Sequence, residues 1–419
     1  MEEDVKKGKH IFSVLFIISL FLFSGFNIFF HGPVLLEEIK ENREGWHNPK
    51  QAVRGIEEEM SEELLFRYPL IEGYGALQVL MGKKEENAFT NLKGKDGMLY
   101  GANFWNGFGD DQKELAVRTR RLQDELSVRG TKMGAVIFPM KVPEEKEGYY
   151  GLPYNDYTEV AGDFAAWLRY YKVPLLDLET LCETNGLTQQ EAFFLIRGSP
   201  FLLLRRFLLW TPRAAFEGYK NILQWMEQSF GVSLDPDGKL KDLAQYEQVT
   251  LPGYMLGSQG RETGLIYAGG TEDYTVIYPK TPGEYSLKRG MTGEYKTYQG
   301  SFKDALLDLE ENGPGLENVY NGKAERVYLH NGVDEYVSIR NLEMDSGPKI
   351  LLLRDSYATP VGAFLAQSFS QVDMLWTLQT DEEKLSKFLE ENHYDYVLLA
   401  LYPENLSGQA FPFGMENKP

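Results

Sequence analysis

Cysteine is almost absent from this chain of 419 residues. The single Cys182 excludes an intramolecular disulfide and any multi-cysteine metal site. Histidine is scarce too: the five, at positions 10, 31, 47, 330 and 393, form neither a His-Glu-x-x-His motif nor a paired spacing. Zinc therefore has no support, and no metal or other cofactor is expected. Basic charge is also short. With 43 Lys and Arg against 62 Asp and Glu, the formal net charge is -19. That argues against a nucleic-acid partner, which requires a basic surface to neutralise phosphates. Internal repeats and low-complexity linkers are missing as well, so one elaborated domain is favoured over two. What is plentiful is aromatic: 25 Tyr and 25 Phe suggest a sizeable core.

The run from Ile11 to Phe30 is uncharged and strongly apolar, close to the ~20 residues that a helix needs to span a bilayer. Lys6, Lys7, Lys9 and His10 precede it, whereas Glu37, Glu38 and Glu41 follow. Positive-inside bias puts the N-terminus in the cytoplasm and the rest of the chain outside, extracellular or periplasmic. A cleaved signal peptide competes with this reading. No clear small-x-small cleavage site follows the run, and its length exceeds a usual signal core, so an uncleaved single-pass anchor is expected. Residues 1–31 then form a cytoplasmic tail and anchor, 32–81 a charged, amphipathic helical stalk, and 82–419 an extracytoplasmic domain.

Within that domain the periodicity alternates. Helices are predicted over Asp111–Val128, Tyr157–Tyr171, Pro360–Ser370 and Asp381–Glu391. Strands are predicted over Met133–Phe138, Val173–Leu178, Lys349–Leu353, Val372–Leu378 and Tyr394–Leu401. This is an α/β pattern with a mostly parallel sheet. A Gly- and Tyr-rich region at about 232–345 has short alternating runs that suggest an antiparallel insertion. Lys95-Asp96-Gly97 reads as a tight turn with a strand on either side.

Ile350 to Leu353 reads as a strand buried on both faces, and it breaks into Arg354, Asp355 and Ser356 before a helical pattern. A polar cluster just past the carboxyl end of a buried strand is where open α/β sheets place their sites. Ser356 is the candidate nucleophile, and an ordinary helix N-cap is the competing reading. Gly257-Ser258-Gln259-Gly260-Arg261 is a second polar element, distinct from the Gly-x-Ser-x-Gly elbow because its serine directly follows the first glycine. A plain turn between strands explains it equally well.

Several stretches, taken together and in order, resemble the DHHW family of extracytoplasmic proteins, relatives of the SGNH-hydrolase-like alginate O-acetyltransferases. They are Gly82 to Asn87, Gly94 to Leu99, Trp210-Thr211-Pro212, Leu256 to Arg261, Lys349 to Ala358, and Tyr394 to Leu399. The likeness covers roughly residues 50 to 405. It implies an SGNH-like α/β sandwich whose site combines a serine after a strand with an Asp-x-His pair inside Asp-His-His-Trp. The serine carries over onto Ser356, with Asp355 and Tyr357 beside it, and the tryptophan onto Trp210. The stretch at Gly257, Ser258 and Gly260 is implied to lie beside the serine, where its amides or hydroxyl can form an oxyanion hole. Arg261 is expected to hold an anionic sugar or Asp355.

The Asp-x-His pair does not carry over. This chain has Phe207-Leu208-Leu209-Trp210, so Phe207 and Leu209 stand at the acid and base positions. A serine hydroxyl needs a base to take its proton, and neither phenylalanine nor leucine can serve. His330 and His393 lack an acid partner at a suggestive spacing, and Asp355, adjacent in sequence, is better suited to capping amides. The apolar segment Phe201–Trp210 reads as packing, with an acyl-chain pocket as the alternative. Thr211 and Pro212 read as the N-cap and first residue of a helix with a buried stripe at Phe216, Tyr219, Ile222, Leu223 and Met226.

Three functions remain open from the sequence. One is a non-catalytic, glycan-binding or scaffolding relative, a pseudoenzyme in cell-surface polysaccharide O-acylation beside a membrane-bound O-acyltransferase. A second is an active serine O-acetyltransferase or esterase, and a third a membrane-anchored module unrelated to glycans.

Overall fold

The computed structural model describes residues 2–42, 53, 56, 64–95, 97–102, 111–141, 151–152, 154–155, 157–178, 211–291, 294–309 and 316–415. Phe207, Leu209, Trp210 and Cys182 lie outside them. Contacts divide the chain into two compact units, Met1–Leu77 and Gln78–Pro419.

In the first unit, helix α1 runs over Glu2–Asn42. Its segment Ser13–Phe30 has a mean hydropathy of 2.2 and no buried residue, which fits membrane anchoring or a signal sequence. Helix α2 follows at Arg67–Leu80.

The second unit opens with three short antiparallel strands, β1 (Glu85–Glu86), β2 (Asn91–Lys93) and β3 (Leu99–Gly101). The expected turn joins β2 to β3, with Gly97 at φ 80° and its N–H donating to the Gly94 carbonyl at 3.0 Å. Only a residue without a Cβ takes that φ at no cost.

The core is an eight-stranded sheet. Its parallel part holds β5 (Leu175–Asp177), β4 (Lys132–Ile137), β13 (Tyr396–Leu401), β11 (Lys349–Arg354) and β12 (Gln371–Trp376), side by side in that order. Each strand is within a few residues of its expected span. β11 lies inside, with Leu351 opposite Val397 on one side and Asp373 on the other. Four consecutive apolar residues are what a strand covered on both faces requires.

The Gly- and Tyr-rich region supplies the antiparallel strands, and they divide in two. β6 (Tyr246–Met255) pairs with β7 (Glu272–Pro279) as a separate ribbon. β8 (Tyr285–Met291), β9 (Glu294–Gly300) and β10 (Tyr336–Asn341) instead extend the main sheet beyond β12. The sheet is thus mixed, with the insertion forming its edge.

Four longer helices carry the parallel strands: α3 (Gln112–Val128), α4 (Tyr157–Tyr170), α5 (Pro212–Phe230) and, after β12, a helix over Glu382–Glu391. The Asp111 carboxylate caps α3, and the Thr211 hydroxyl caps α5 by accepting from the Ala214 N–H at 3.0 Å. Pro212 is the first residue of α5, and Gly231 ends it in the left-handed region. The expected stripe of α5 is buried, and Phe216 and Tyr219 pack on Phe364. α5 approaches closely where Gly134 faces it, since a Cβ there would meet Trp225 at 2.5 Å. The helix after β11 spans Ala358–Leu365, shorter than the expected Pro360–Ser370 because the chain turns at Gln367 and Ser368 to enter β12.

Candidate functional site

β11 delivers Arg354, Asp355 and Ser356 to the carboxyl edge of the sheet. Arg354 and Asp355 are completely buried, and Ser356 is half-buried. The following helix has no side-chain cap hydrogen bond, so Ser356 is not its N-cap. Among the described residues the Ser356 hydroxyl makes no hydrogen bond.

Asp355 is occupied elsewhere. One carboxylate oxygen accepts from the Tyr357 N–H at 3.0 Å, closing a local turn around the serine. The other accepts from the Tyr402 N–H at 2.6 Å and the Asn405 amide at 2.9 Å, both just beyond the end of β13. The carboxylate thus ties the serine turn to the segment after the neighbouring strand. Burial raises its pKa, and the hydrogen bonds and Arg354 oppose that.

Arg354 donates to the carbonyls of Gly332 at 2.5 Å and Asp334 at 3.2 Å, and its guanidinium lies 4.9 Å from the centre of the Trp376 ring. Burial lowers its pKa to about 10, so it is charged at neutral pH. Arg289 pairs with the Asp334 carboxylate at 2.5 Å, holding the same loop from outside. Just before the held carbonyls, Leu329, His330 and Asn331 all have left-handed backbone, at φ 56°, 50° and 85°. That backbone costs Leu329 about 1–2 kcal/mol and is less costly for His330 and Asn331, and the anchored carbonyls help to fix the turn.

These elements enclose a cavity of about 340 Å³. The segment after β11 lends Ser356 and Tyr357, and the one after β13 lends Tyr402, Glu404 and Asn405. The strained loop adds Asn331 and Val333. Ser258 and Arg261, from a short helix over Ser258–Thr263, complete it with Glu325 and Arg326. Tyr357 and Tyr402 stack at 4.0 Å with planes 9° apart.

The two polar stretches singled out in the sequence therefore meet in one cavity. Gly257 leads into the Ser258 helix at φ 75°, and Gly260 lies so close to Leu256 that a Cβ would meet its side chain at 2.8 Å. Of the two roles expected of Arg261, the contact with Asp355 is not made: its guanidinium pairs with Glu325 and passes over Gly322. Asp355 instead faces Arg354 and backbone amides.

Neither alternative histidine lines the cavity. His330 stacks its ring on Tyr298 at 3.8 Å, next to Asp308, and burial lowers its pKa. His393 is exposed, just ahead of β13. That is the amino edge of the sheet, one strand length of roughly 20 Å from Ser356.

Sequence reasoning missed the 402–405 segment and the 329–334 loop. The first carried a usable signal, since Tyr402-Pro403-Glu404-Asn405 is a polar cluster just past a buried strand, as Ser356 is. Among the described residues no group of three or more His, Cys, Asp or Glu stands ready to hold a metal ion.

No family model and no curated protein matches the chain. Solved structures do. PatB1 of Bacillus cereus is 18% identical with a TM-score of 0.57, over 77% of this chain and 99% of PatB1. The same protein with a sulfonyl adduct is also 18% identical, with a TM-score of 0.56 over 77% and 97%. A DHHW family protein from Eubacterium siraeum is 15% identical with a TM-score of 0.51, over 78% of this chain and 97% of that one. At such identities the likeness is one of fold. The fold is that of a DHHW family protein, as the ordered motifs of the sequence had implied.

Proposed function

We propose that the protein is a membrane-anchored, extracytoplasmic member of a cell-surface polysaccharide O-acylation system that binds glycan, or scaffolds a partner, without transferring the acyl group. In this reading residues 1–31 anchor the chain with its N-terminus in the cytoplasm, 32–81 form a stalk, and 82–419 bind. The partner is a membrane-bound O-acyltransferase, and the polysaccharide occupies the Ser356 cavity.

The observation that carries the non-catalytic reading is that Ser356 faces a cavity lined by no histidine, and its hydroxyl makes no hydrogen bond among the described residues. Its neighbour Asp355 is taken up by two amide N–H groups and Asn405, and the histidine and acid positions of the motif hold Leu209 and Phe207. Loss of a triad member typically removes several orders of magnitude of rate. The cavity falls at the lower end of ligand pockets, about 300–1,000 Å³, and its hydroxyl, carboxamide and carboxylate groups match the donors and acceptors of a sugar.

The test is hydrolysis of an activated acetyl ester by the purified protein, alongside binding of acetylated and unacetylated polysaccharide. Binding without turnover is expected, with hydrolysis appearing in Phe207→Asp plus Leu209→His. The second reading, a working serine O-acetyltransferase or esterase, draws on the convergence of Ser356 and Ser258 in one cavity. Turnover by the wild type that Ser356→Ala abolishes would establish it and sink the first.

A further inference from the structure

The cavity around Ser356 carries its charges in opposite pairs. Its charged lining residues are the cations Arg261 and Arg326 and the anions Glu325 and Glu404. Its other polar walls include the hydroxyls of Ser258 and Ser356 and the carboxamides of Asn331 and Asn405. Arg354 and Asp355, buried just before the serine, add one charge of each sign. The site is therefore rich in hydrogen-bonding groups and neutral in sum.

Arg261 is the cation that a carboxylate on a sugar would seek, and it is already engaged. Glu325 pairs with it. Its guanidinium also rests against Gly322, where a Cβ would meet Nη1 at 2.7 Å and Cζ at 2.9 Å. Gly322, at φ 68°, opens the short helical turn Lys323–Arg326 that carries Glu325. Lys323 braces that turn on Asp308 at 3.7 Å. Both members of the pair are largely covered, with side-chain exposures of 24% and 17%, so salt screens them less than it would a surface pair.

A uronate reaching Arg261 would bring a second carboxylate against Glu325, placing one cation between two anions. Arg326 offers less, because it is exposed to solvent and Glu404 supplies the opposite charge. The chain's net charge of -19 also repels a polyanion at a distance. A sugar without charge meets none of these obstacles and finds hydroxyl and carboxamide partners in the same walls.

We propose that the cavity selects uncharged sugar residues and rejects uronates, with Glu325 as the determinant because it neutralises Arg261. This rests on the reading that polysaccharide occupies the cavity.

The test measures binding of the full chain, in lipid nanodiscs, to oligomannosides, N-acetylglucosamine oligomers and oligogalacturonates. Ser356→Phe, which fills the cavity, identifies the binding that occurs there. The neutral oligomers should bind there more tightly than oligogalacturonates by roughly tenfold, and added salt should change their affinity by less than about twofold. Glu325→Gln keeps the shape of the side chain and removes its charge. It should raise oligogalacturonate affinity roughly tenfold while leaving the neutral oligomers within about twofold. A pair with a merely structural role would lower both together, and that result, or an unchanged preference in the folded variant, would overturn the proposal. Tighter binding of oligogalacturonates by the wild type, lost in Ser356→Phe, would overturn it and leave the glycan reading standing. Absence of any binding that Ser356→Phe removes would fail the glycan reading and the proposal with it. Should Glu325→Gln not fold, the preference of the wild type and its response to salt decide alone.

Discussion

The two ends of the parallel strands solve the same problem differently. At the amino edge the strands begin in plain backbone bonds: Lys132 N–H to the Asp395 carbonyl and Asp395 N–H to the Lys349 carbonyl. The Thr131 hydroxyl and the Lys132 ammonium finish that edge on carbonyls of Tyr394 and Phe230. Left-handed residues there occur singly, at Gly130, Lys172 and Gly231. At the carboxyl edge two opposite charges are fully buried and three successive non-glycine residues are left-handed. Such costs are tolerated where surrounding structure holds them, and functional sites are where they collect. The contrast singles out the carboxyl edge without reference to any motif.

The sharpest way to break the contrast is to remove a charge from each end. Arg354→Met strands two buried carbonyls and leaves Asp355 without its cation, and should cost about 3–5 kcal/mol in urea unfolding. Lys132→Met at the other edge should cost less than about 1 kcal/mol. Equal losses would mean that the buried pair has no special weight.

A comparison within the carboxyl edge comes next. Asp355→Ala removes the acceptor for three donors and should cost about 2–3 kcal/mol. Ser356→Ala, losing a hydroxyl with no partner among the described residues, should stay within about 0.5 kcal/mol. A large loss for Ser356→Ala would reveal a structural role for the serine.

The pH dependence asks whether buried carboxyls act alike at both ends. Asp373, on β12, is fully buried with Tyr394, which leads into β13, donating to it, and burial raises its pKa as it does that of Asp355. A raised folded-state pKa means that the native state binds more protons than the unfolded chain. The stability each group contributes is therefore full below the unfolded carboxyl value of about 4 and lost as pH rises through the folded one. Thermal melts across that range should show a falling stability with a shallower slope in Asp373→Asn. An unchanged slope would mean that Asp373 ionises as freely in the native state as in the unfolded chain.

The smallest effect belongs to His393. Exposed at the amino edge, it should tolerate Ala within about 0.5 kcal/mol, with no change in any ester hydrolysis or glycan binding.

The parallel strands were legible because burial on both faces writes itself as unbroken apolar runs, as in Ile350–Leu353 and Val397–Leu401. The fate of β8, β9 and β10 was not, because alternation marks a half-buried strand without naming its neighbour. At the site, Ser356 and Ser258 could be read from motifs, while the pairing of Arg261 with Glu325 depends on a contact between distant segments. The left turn at Leu329–Asn331 was invisible for a related reason. Asn331 and His330 tolerate that backbone but Leu329 does not, and the carbonyls that Arg354 holds lie beyond it.

The clasp made by Asp355 has one further consequence. The cavity draws its walls from four stretches far apart in the chain, near residues 258, 330, 356 and 404. The carboxylate that joins two of them finds its partners only after β13. A chain that folds as it is made, N-terminus first, therefore lacks a complete cavity until the segment after β13 is in place. The cavity around Ser356 is thus a property of the nearly complete domain and not of any one segment of it.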